Sequence, residues 1–367
     1  MSQTNWRHYD FWLLGAVALM TIFGITMIRS AVAGNIELET ANIVQRQLIF
    51  AVLGFIVIFI VAAIDYHLWA SISRPMYIIT AIVLGALTIA GQALYGSARW
   101  FDTGVILVQP SELAKIVVIL VLADFFARNI DKLDNLIWIG RSLLFTLGIV
   151  VWIILQPNLS TSLVILAIWF SLLWASGLKL KYLLVFGGVG IAAPFVAFPF
   201  LVDYQKQRVL NFLFADPNAT QGETYNIQQA LISIGSGGLL GKGYNQGTQV
   251  HLRFLKVRWS DFIFSATAEE FGLIGSVIIM LLLLFIIYRC LRIARLSRDT
   301  FGGLIAYGVA VLLAFQGMVN IGVNLKLLPA TGLPLPFISY GGSSLLSLLL
   351  GVGLVESVIL RHKPLEF

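Results

Sequence analysis

The stretch Trp259–Gly272, WSDFIFSATAEEFG, decides how the chain is read. It closes the longest polar connection in the sequence and passes straight into a long apolar run. Asp261, Glu269 and Glu270 therefore fall where a membrane helix is starting or already under way. Carboxylates are costly at that depth and mark function by default. Helix capping is the competing explanation, with Ser260 or Asp261 as N-cap. Capping does not extend to Glu269 and Glu270, roughly two turns deeper at about 1.5 Å per residue.

Composition agrees with a membrane setting. The 367 residues are 59% hydrophobic and 11% charged, whereas a soluble domain is about half apolar and a quarter charged. The fold class expected is an all-α polytopic membrane protein. A net charge of +6 does not point to nucleic acid, because the basic residues form no single patch. The single Cys290 excludes an internal disulfide framework and a cysteine-based metal site. With four scattered histidines a zinc site is not expected either, nor is an organic cofactor. The apolar run Phe11–Met27 follows a short polar tail without a small-residue cleavage pattern, and reads as a retained first span.

Apolar runs of spanning length fall near 11–28, 47–64, 75–94, 111–127, 137–156, 159–176, 182–201, 262–288, 301–324 and 343–360. About ten transmembrane helices put both termini on one side. Under that alternation one face receives Arg74, Arg128, Lys132, Arg141, Lys179 and Lys181, with Arg7, the Arg289–Arg298 run and Arg361 and Lys363. The short connections of the other face hold only Arg29, Arg46, Arg99 and Lys326. The positive-inside rule places both termini in the cytoplasm and the long 202–261 segment outside, between the seventh and eighth spans. The arginines of RCLRIARLSR (289–298) recur every three residues and are expected to snorkel to anionic lipid at the inner surface.

Polar signals gather at the outer ends. In LYGSARWFDTGVILVQPSELAK (94–115), Tyr95–Asp102 reads as an outer loop with Arg99 beside Trp100 and Phe101. Pro110 then opens a helix, and Glu112 and Lys115 share one face of it. Free N–H groups at a helix start bind anions, so Lys115 with Arg99 above could hold a phosphate or pyrophosphate. An internal Glu112–Lys115 pair explains the stretch equally well. QPNLST (156–161) leaves almost no loop, and Asn158, Ser160 and Thr161 can cap the helix that follows.

The 202–261 segment opens with Asp203, Lys206 and Arg208, passes a turn signal at Asp216-Pro217, and offers Ile227, Ala230, Leu231 and Ile234 at helical spacing. Gly235, Gly237, Gly238, Gly241 and Gly243 surround Lys242, a density that permits close backbone approach to a ligand or gives a mobile loop. Gln246, Thr248, Gln249 and His251 are suited to sugars, and Arg253, Lys256 and Arg258 make a basic approach to Asp261. The last outer connection, NIGVNLKLLPATGLPLPFISYGGSSLL (320–346), sets Asn320 and Asn324 on one helix face. It ends in a serine-rich entry containing Ser343, read as a packing loop or as a wall of an outward cavity.

These stretches together resemble the SEDS proteins (shape, elongation, division and sporulation) of the RodA and FtsW type, the RodA branch more closely. ARWFD (98–102), QPSELAK (109–115), QQALISIGSGGLLGKG (228–243), WSDFIFSATAEEFG (259–272) and the 320–346 stretch carry the likeness, in the family's order. The resemblance implies one transmembrane domain over 1–367, with 202–261 an extracytoplasmic loop within it. It also implies a multi-pass protein of the bacterial cytoplasmic membrane that polymerises lipid II into glycan strands during elongation and shape maintenance. The partners implied are a class B penicillin-binding protein (a single-span transpeptidase), lipid II and undecaprenyl-linked glycan, and other elongation or division machinery, with no nucleic acid.

Asp261 matches the family's essential aspartate, and Arg99, Glu112 and Lys115 match other functional positions. The expected substrate-binding set is Arg99, Glu112, Lys115, Lys242, Gln249, Arg258, Glu269 and Ser343, with Asp261 catalytic. A divalent cation, Mg or Mn, is a candidate cofactor with Asp261 as its ligand. The chain departs from the family at QPNLST, where the family often reads QPDLGT, so Asn158 stands in place of an aspartate. Inversion at the donor's anomeric carbon in one step calls for a general base on the attacking hydroxyl. A lipid II flippase or transporter is the alternative, since broken helices and intramembrane charges also serve transport. A scaffold for the transpeptidase is a third reading, and it leaves the buried acids unexplained.

Overall fold

The computed structural model describes residues 6–34, 39, 41–95, 99–102, 107–132, 135–214 and 222–362. The turn expected at Asp216-Pro217 and part of the ARWFD stretch lie outside these residues. The chain runs through α1 (Phe11–Val32), α2 (Ile43–Ala63), α3 (Tyr66–Tyr95), α4 (Pro110–Arg128), α5 (Leu136–Leu155), α6 (Leu159–Ala175) and α7 (Leu180–Ala197). The outer segment contributes α8 (Asp203–Leu213), α9 (Gly222–Gly237) and one helical turn at Thr248–His251. The bundle closes with α10 (Ile263–Leu296), α11 (Thr300–Asn324) and α12 (Gly342–Ile359). The only departure from helix and loop among the described residues is a two-residue antiparallel ladder, β1 (Phe101–Asp102) with β2 (Leu107–Val108).

Each of the ten apolar runs coincides with a helix. Seven of these helices are long and apolar enough to cross a membrane: α1, α2, α3, α5, α10, α11 and α12. Of the other three, α6 is shorter at 17 residues, α4 carries Glu112, Lys115, Asp124 and Arg128, and α7 is an apolar helix of 18 residues. Two boundaries differ from the sequence reading. The third helix begins at Tyr66 rather than near 75, because Pro75 is accommodated inside it, as membrane helices allow when neighbours satisfy the freed backbone groups. The α10 helix continues to Leu296, so Arg289, Arg292 and Arg295 ride on its last turns.

One of those arginines does not snorkel. Arg289 turns inward and its Nε donates to Asp10 Oδ2 at 2.8 Å. Asp10 also caps α1 by accepting from Leu13 N through Oδ1 at 3.0 Å, and its own N–H donates to Glu356 on α12. This cluster ties the start of α1 to the ends of α10 and α12. An even number of crossings between Asp10 and Glu356 follows directly, in agreement with both termini lying on the positively charged face. Above the cluster, Ile116, Ile119, Val309, Leu349 and Val352 are buried and form an apolar layer between the two ends of the bundle.

The orientation is checked by labelling single cysteines in a Cys290→Ser background. A cysteine at Arg295 is expected to react with an impermeant reagent only from the cytoplasm, and one at Gly222 only from outside. The opposite pattern would invert the placement of every outer side chain described below.

Candidate active site

The outer site is built on a break in α10. Gly272 adopts φ 66° and ψ −164° within the helix, a conformation that suits glycine. The break frees backbone groups of the helical ladder, and the glycine-rich stretch takes their place. Leu273 N donates to Gly238 O and Ile274 N to Leu239 O, at 2.9 and 3.2 Å. In return, Lys242 N donates to Glu269 O and Gly243 N to Glu270 O, both at 2.9 Å. The loop is thus spliced into the helix, and these four bonds satisfy backbone groups that the break releases, as a low-dielectric setting demands. A Cβ on Gly272 would collide with main-chain atoms of Leu239 and Gly241, and one on Gly241 with Glu270.

This splice assigns the two deep glutamates. The Glu269 carboxylate accepts from Lys242 Nζ at 2.7 Å, from Thr248 Oγ1 at 3.1 Å, and from the backbone N–H groups of Gln249 and Val250. Glu270 accepts from Ser30 Oγ on α1 and from Asn245 N. Both side chains are buried and hold the loop that precedes Asp261. Of the glycines around Lys242, Gly237 and Gly241 make their close backbone approach to the protein's own helix, at Ala268 and Glu270. Lys242, Gln249 and Glu269 are brought together, as anchors of that loop. Arg258, also buried, donates from Nε to Ala31 O at 2.6 Å and so fastens the loop to the end of α1.

Asp261 lies just beyond these anchors. The N-cap of α10 is Phe262, with no side-chain cap of its own. The cap comes from another helix: Asn324 Oδ1 on α11 accepts from Ser265 N at 3.1 Å and from Ser265 Oγ at 2.6 Å. Asn320 and Asn324 both donate from Nδ2 to Asp261 O, at 3.1 and 3.0 Å. Ser339 Oγ holds Ser260 O, and Tyr340 N holds Trp259 O. The backbone around Asp261 is clamped while its carboxylate is left out of capping, contrary to that sequence reading. Among the described residues the carboxylate accepts from Ser260 Oγ, at 3.0 Å. Its surface is partly exposed, yet protein atoms crowd it on most sides. That desolvation raises its pKa above the ordinary 3.8, with Ser260 and the charge of Arg208 pulling in the opposite direction.

Arg208, on α8, is the residue the sequence reading did not single out. It pairs with Glu223 at 2.7 Å and lines a cavity of about 130 Å³ with Arg99, Asn158, Ser160, Gln205 and Thr331. Thr331 adjoins Gly332, the glycine that faces Asp261 Oδ2. Arg99 donates to Gln156 O at 2.7 Å and Pro157 O at 2.6 Å. Its guanidinium therefore belongs with the 156–160 turn rather than above Lys115. Asn158 keeps the capping role at Thr161 N. Lys115 is fully buried and donates to Glu112 Oε2 at 2.8 Å, the internal pair. Ser343 Oγ accepts from Gln109 N at 3.1 Å and joins the start of α12 to the entry of α4. Among the described residues no three His, Cys, Asp or Glu side chains cluster to cage a metal.

Comparison with known proteins gives a consistent neighbourhood. The family model for FtsW, RodA and SpoVE, described as cell cycle proteins, matches residues 11–363. Peptidoglycan glycosyltransferase MrdB of Escherichia coli K12 is 36% identical over 364 residues, covering 98% of this chain and 95% of that protein. Stage V sporulation protein E of Bacillus subtilis is 33% identical, covering 95% and 96%. Among solved structures, a chain of a peptidoglycan synthase complex coordinating polymerization and crosslinking aligns with TM-score 0.79 at 30% identity, covering 96% of this chain and 97% of that one. The rod shape determining protein RodA of Thermus thermophilus aligns with TM-score 0.70 at 29% identity, covering 97% and 98%.

Gly272→Ala tests the splice. The strained backbone alone costs about 1–3 kcal/mol, and displacement of 238–243 adds to it. The thermal unfolding midpoint in detergent is expected to fall, with faster proteolysis inside 238–251. An unchanged midpoint and cleavage pattern would show that the break does not hold the loop.

Proposed function

The chain belongs to the FtsW, RodA and SpoVE family of cell cycle proteins, and from that membership we propose that it polymerises lipid II into glycan strands on the outer face of the bacterial cytoplasmic membrane. It is a peptidoglycan glycosyltransferase, and likeness to MrdB and to rod-shape-determining RodA supports a setting in cell elongation and shape maintenance. The observation that carries the reading is Asp261: a carboxylate with a clamped backbone, released from capping by Asn324, beside a cavity walled by two arginines.

In this reading the acceptor's sugar hydroxyl gives its proton to Asp261 while its oxygen attacks the donor's anomeric carbon. The bond from that carbon to the undecaprenyl pyrophosphate breaks on the opposite face. An α-linked donor thereby yields a β-1,4 bond. A desolvated aspartate is a stronger base than a free one, which suits the task. Charge growing on the departing pyrophosphate is met by Arg208 and Arg99, in a site where such charges are worth more than in water. Glu112, Lys115 and Ser343 support the floor of the site, and Lys242, Gln249, Arg258 and Glu269 hold its loop. Asp261 is the residue that would hold a divalent cation, Mg or Mn, and such an ion would supply positive charge to neutralise the leaving group.

A flippase would need a polar route through the bundle, whereas an apolar buried layer separates the outer site from the inner end. The likeness to a chain of a synthase complex supports a working partnership with a single-span class B transpeptidase. Such a partner would act by ordering the outer 202–261 segment, of which 238–243 is tied to α10 by backbone hydrogen bonds.

Purified protein with its transpeptidase is expected to polymerise lipid II, and Asp261→Asn to fold and bind the partner but lose about a hundred- to ten-thousand-fold in rate. A loss under about tenfold would contradict the role of base. Partial rescue of Asp261→Glu by excess Mg²⁺ would assign the carboxylate to a metal instead.

The pH profile gives a separate check. A base works only when deprotonated, so the rate falls as pH drops through the pKa of Asp261. Because desolvation raises that pKa, the acid limb is expected above 3.8. Removing the nearby positive charge with Arg208→Gln is expected to move the limb to still higher pH. A limb that stays put in that variant would separate Arg208 from the reacting carboxylate.

A further inference from the structure

At the inner end, α1, α10 and α12 meet around a cavity of about 310 Å³ that the glycosyl transfer does not use. Its polar lining is His8, Tyr9, Asp10, Arg289, Arg292 and His362. Asp10 and Arg289 neutralise each other across the 2.8 Å contact, and the second Asp10 oxygen is taken by Leu13 N. Glu356 lies behind Asp10, fully buried, and does not line the space. What faces the cavity with charge to offer is Arg292, which is exposed, and the two imidazoles add hydrogen-bonding nitrogens.

His8 and His362 stand edge to face, with ring centroids 4.7 Å apart. His362 Nδ1 lies 2.9 Å from Ile359 O, so that nitrogen carries the proton and Nε2 remains for another partner. The Tyr9 hydroxyl is buried and has no hydrogen-bond partner among the described residues. The remaining wall is apolar, from Phe11, Trp12 and Leu296. Phe11 and Trp12 are 66% and 72% exposed on the first turn of α1, where aromatic side chains mark the membrane–water interface. The cavity therefore sits at headgroup depth on the cytoplasmic face, with a cationic and hydrogen-bond-donating floor and an apolar rim.

We propose that this cavity is a binding site for an anionic phospholipid of the inner leaflet. Arg292 and the His8–His362 pair hold the phosphate, with the Tyr9 hydroxyl as a donor from below. Phe11, Trp12 and Leu296 cover the first acyl carbons. A free phosphate would leave that apolar rim without an occupant, which is why the lipid is the assigned ligand. The lipid would tie together the first and last helices and the end of α10, the helix whose other end presents Asp261.

The test is native mass spectrometry of the purified full chain. It is offered phosphatidylglycerol or phosphatidylcholine with the same acyl chains, or inorganic phosphate alone. Phosphatidylglycerol is expected to be retained over phosphatidylcholine, and Arg292→Gln to cut that retention about fivefold, the effect of one basic side chain near an anionic surface. His362→Gln is expected to cut it further, while Arg74→Gln, an exposed arginine outside the cavity, leaves it unchanged. Arg292 is exposed, so its variant is expected to unfold at the wild-type temperature. Equal retention of the two lipids would overturn the proposal, as would an equal loss in Arg74→Gln. Binding of inorganic phosphate that phosphatidylglycerol does not displace would also overturn it.

Discussion

The structure depends on the exchange of backbone hydrogen bonds at Gly272. A membrane helix cannot simply stop, because each unsatisfied backbone group costs several kcal/mol in hydrocarbon. Here the interrupted ladder is completed by 238–243, which supplies two carbonyls and two N–H groups in register with those the break releases. The helix can then bend away while the outer loop becomes a continuation of it. Glu269 and Glu270 secure the same loop through their side chains. The loop in turn fixes Arg258 against α1 and delivers Trp259–Asp261 to the clamp formed by α11 and the 339–340 turn.

Seen this way, the carboxylates of the 259–272 stretch divide by what satisfies them. Glu269 and Glu270 are enclosed by hydrogen-bond donors and act by holding structure. Asp261 has its backbone held and its side chain spared, since Asn324 caps the helix in its stead. Such an arrangement sets a carboxylate in place without occupying it. The same economy appears at the inner end, where Asp10 caps α1, pairs with Arg289 and meets Glu356. The bundle is laced at both ends, with a layer of buried apolar side chains between them.

Much of this was legible in the sequence. The apolar runs located the helices, the alternation of basic residues oriented them, and the position of Asp261 at a helix mouth singled it out. Asn320 and Asn324 were readable as one helix face, though not as the cap of another helix. What was not legible depends on contacts between distant segments. A glycine in an apolar run reads as tolerated, so nothing marked Gly272 as a break. Arg99 precedes the QPSELAK helix in sequence but is captured by carbonyls at 156 and 157. Arg208 was named only as one of the charges opening the outer segment, because its electrostatic influence on Asp261 comes from how α8 folds back. The third apolar run was placed from about 75, whereas the helix starts at Tyr66 and runs through Pro75.

The central claim is that Asp261 accepts a proton in a single displacement and does not itself attack the sugar. Rapid-quench intact mass measurement of the enzyme with labelled lipid II, with NMR of the product linkage, tests this most directly. The account predicts a β-linked product and no added mass on the protein at any time in the first turnover. A glycosyl adduct on Asp261 that forms and decays at the rate of polymerisation would contradict it.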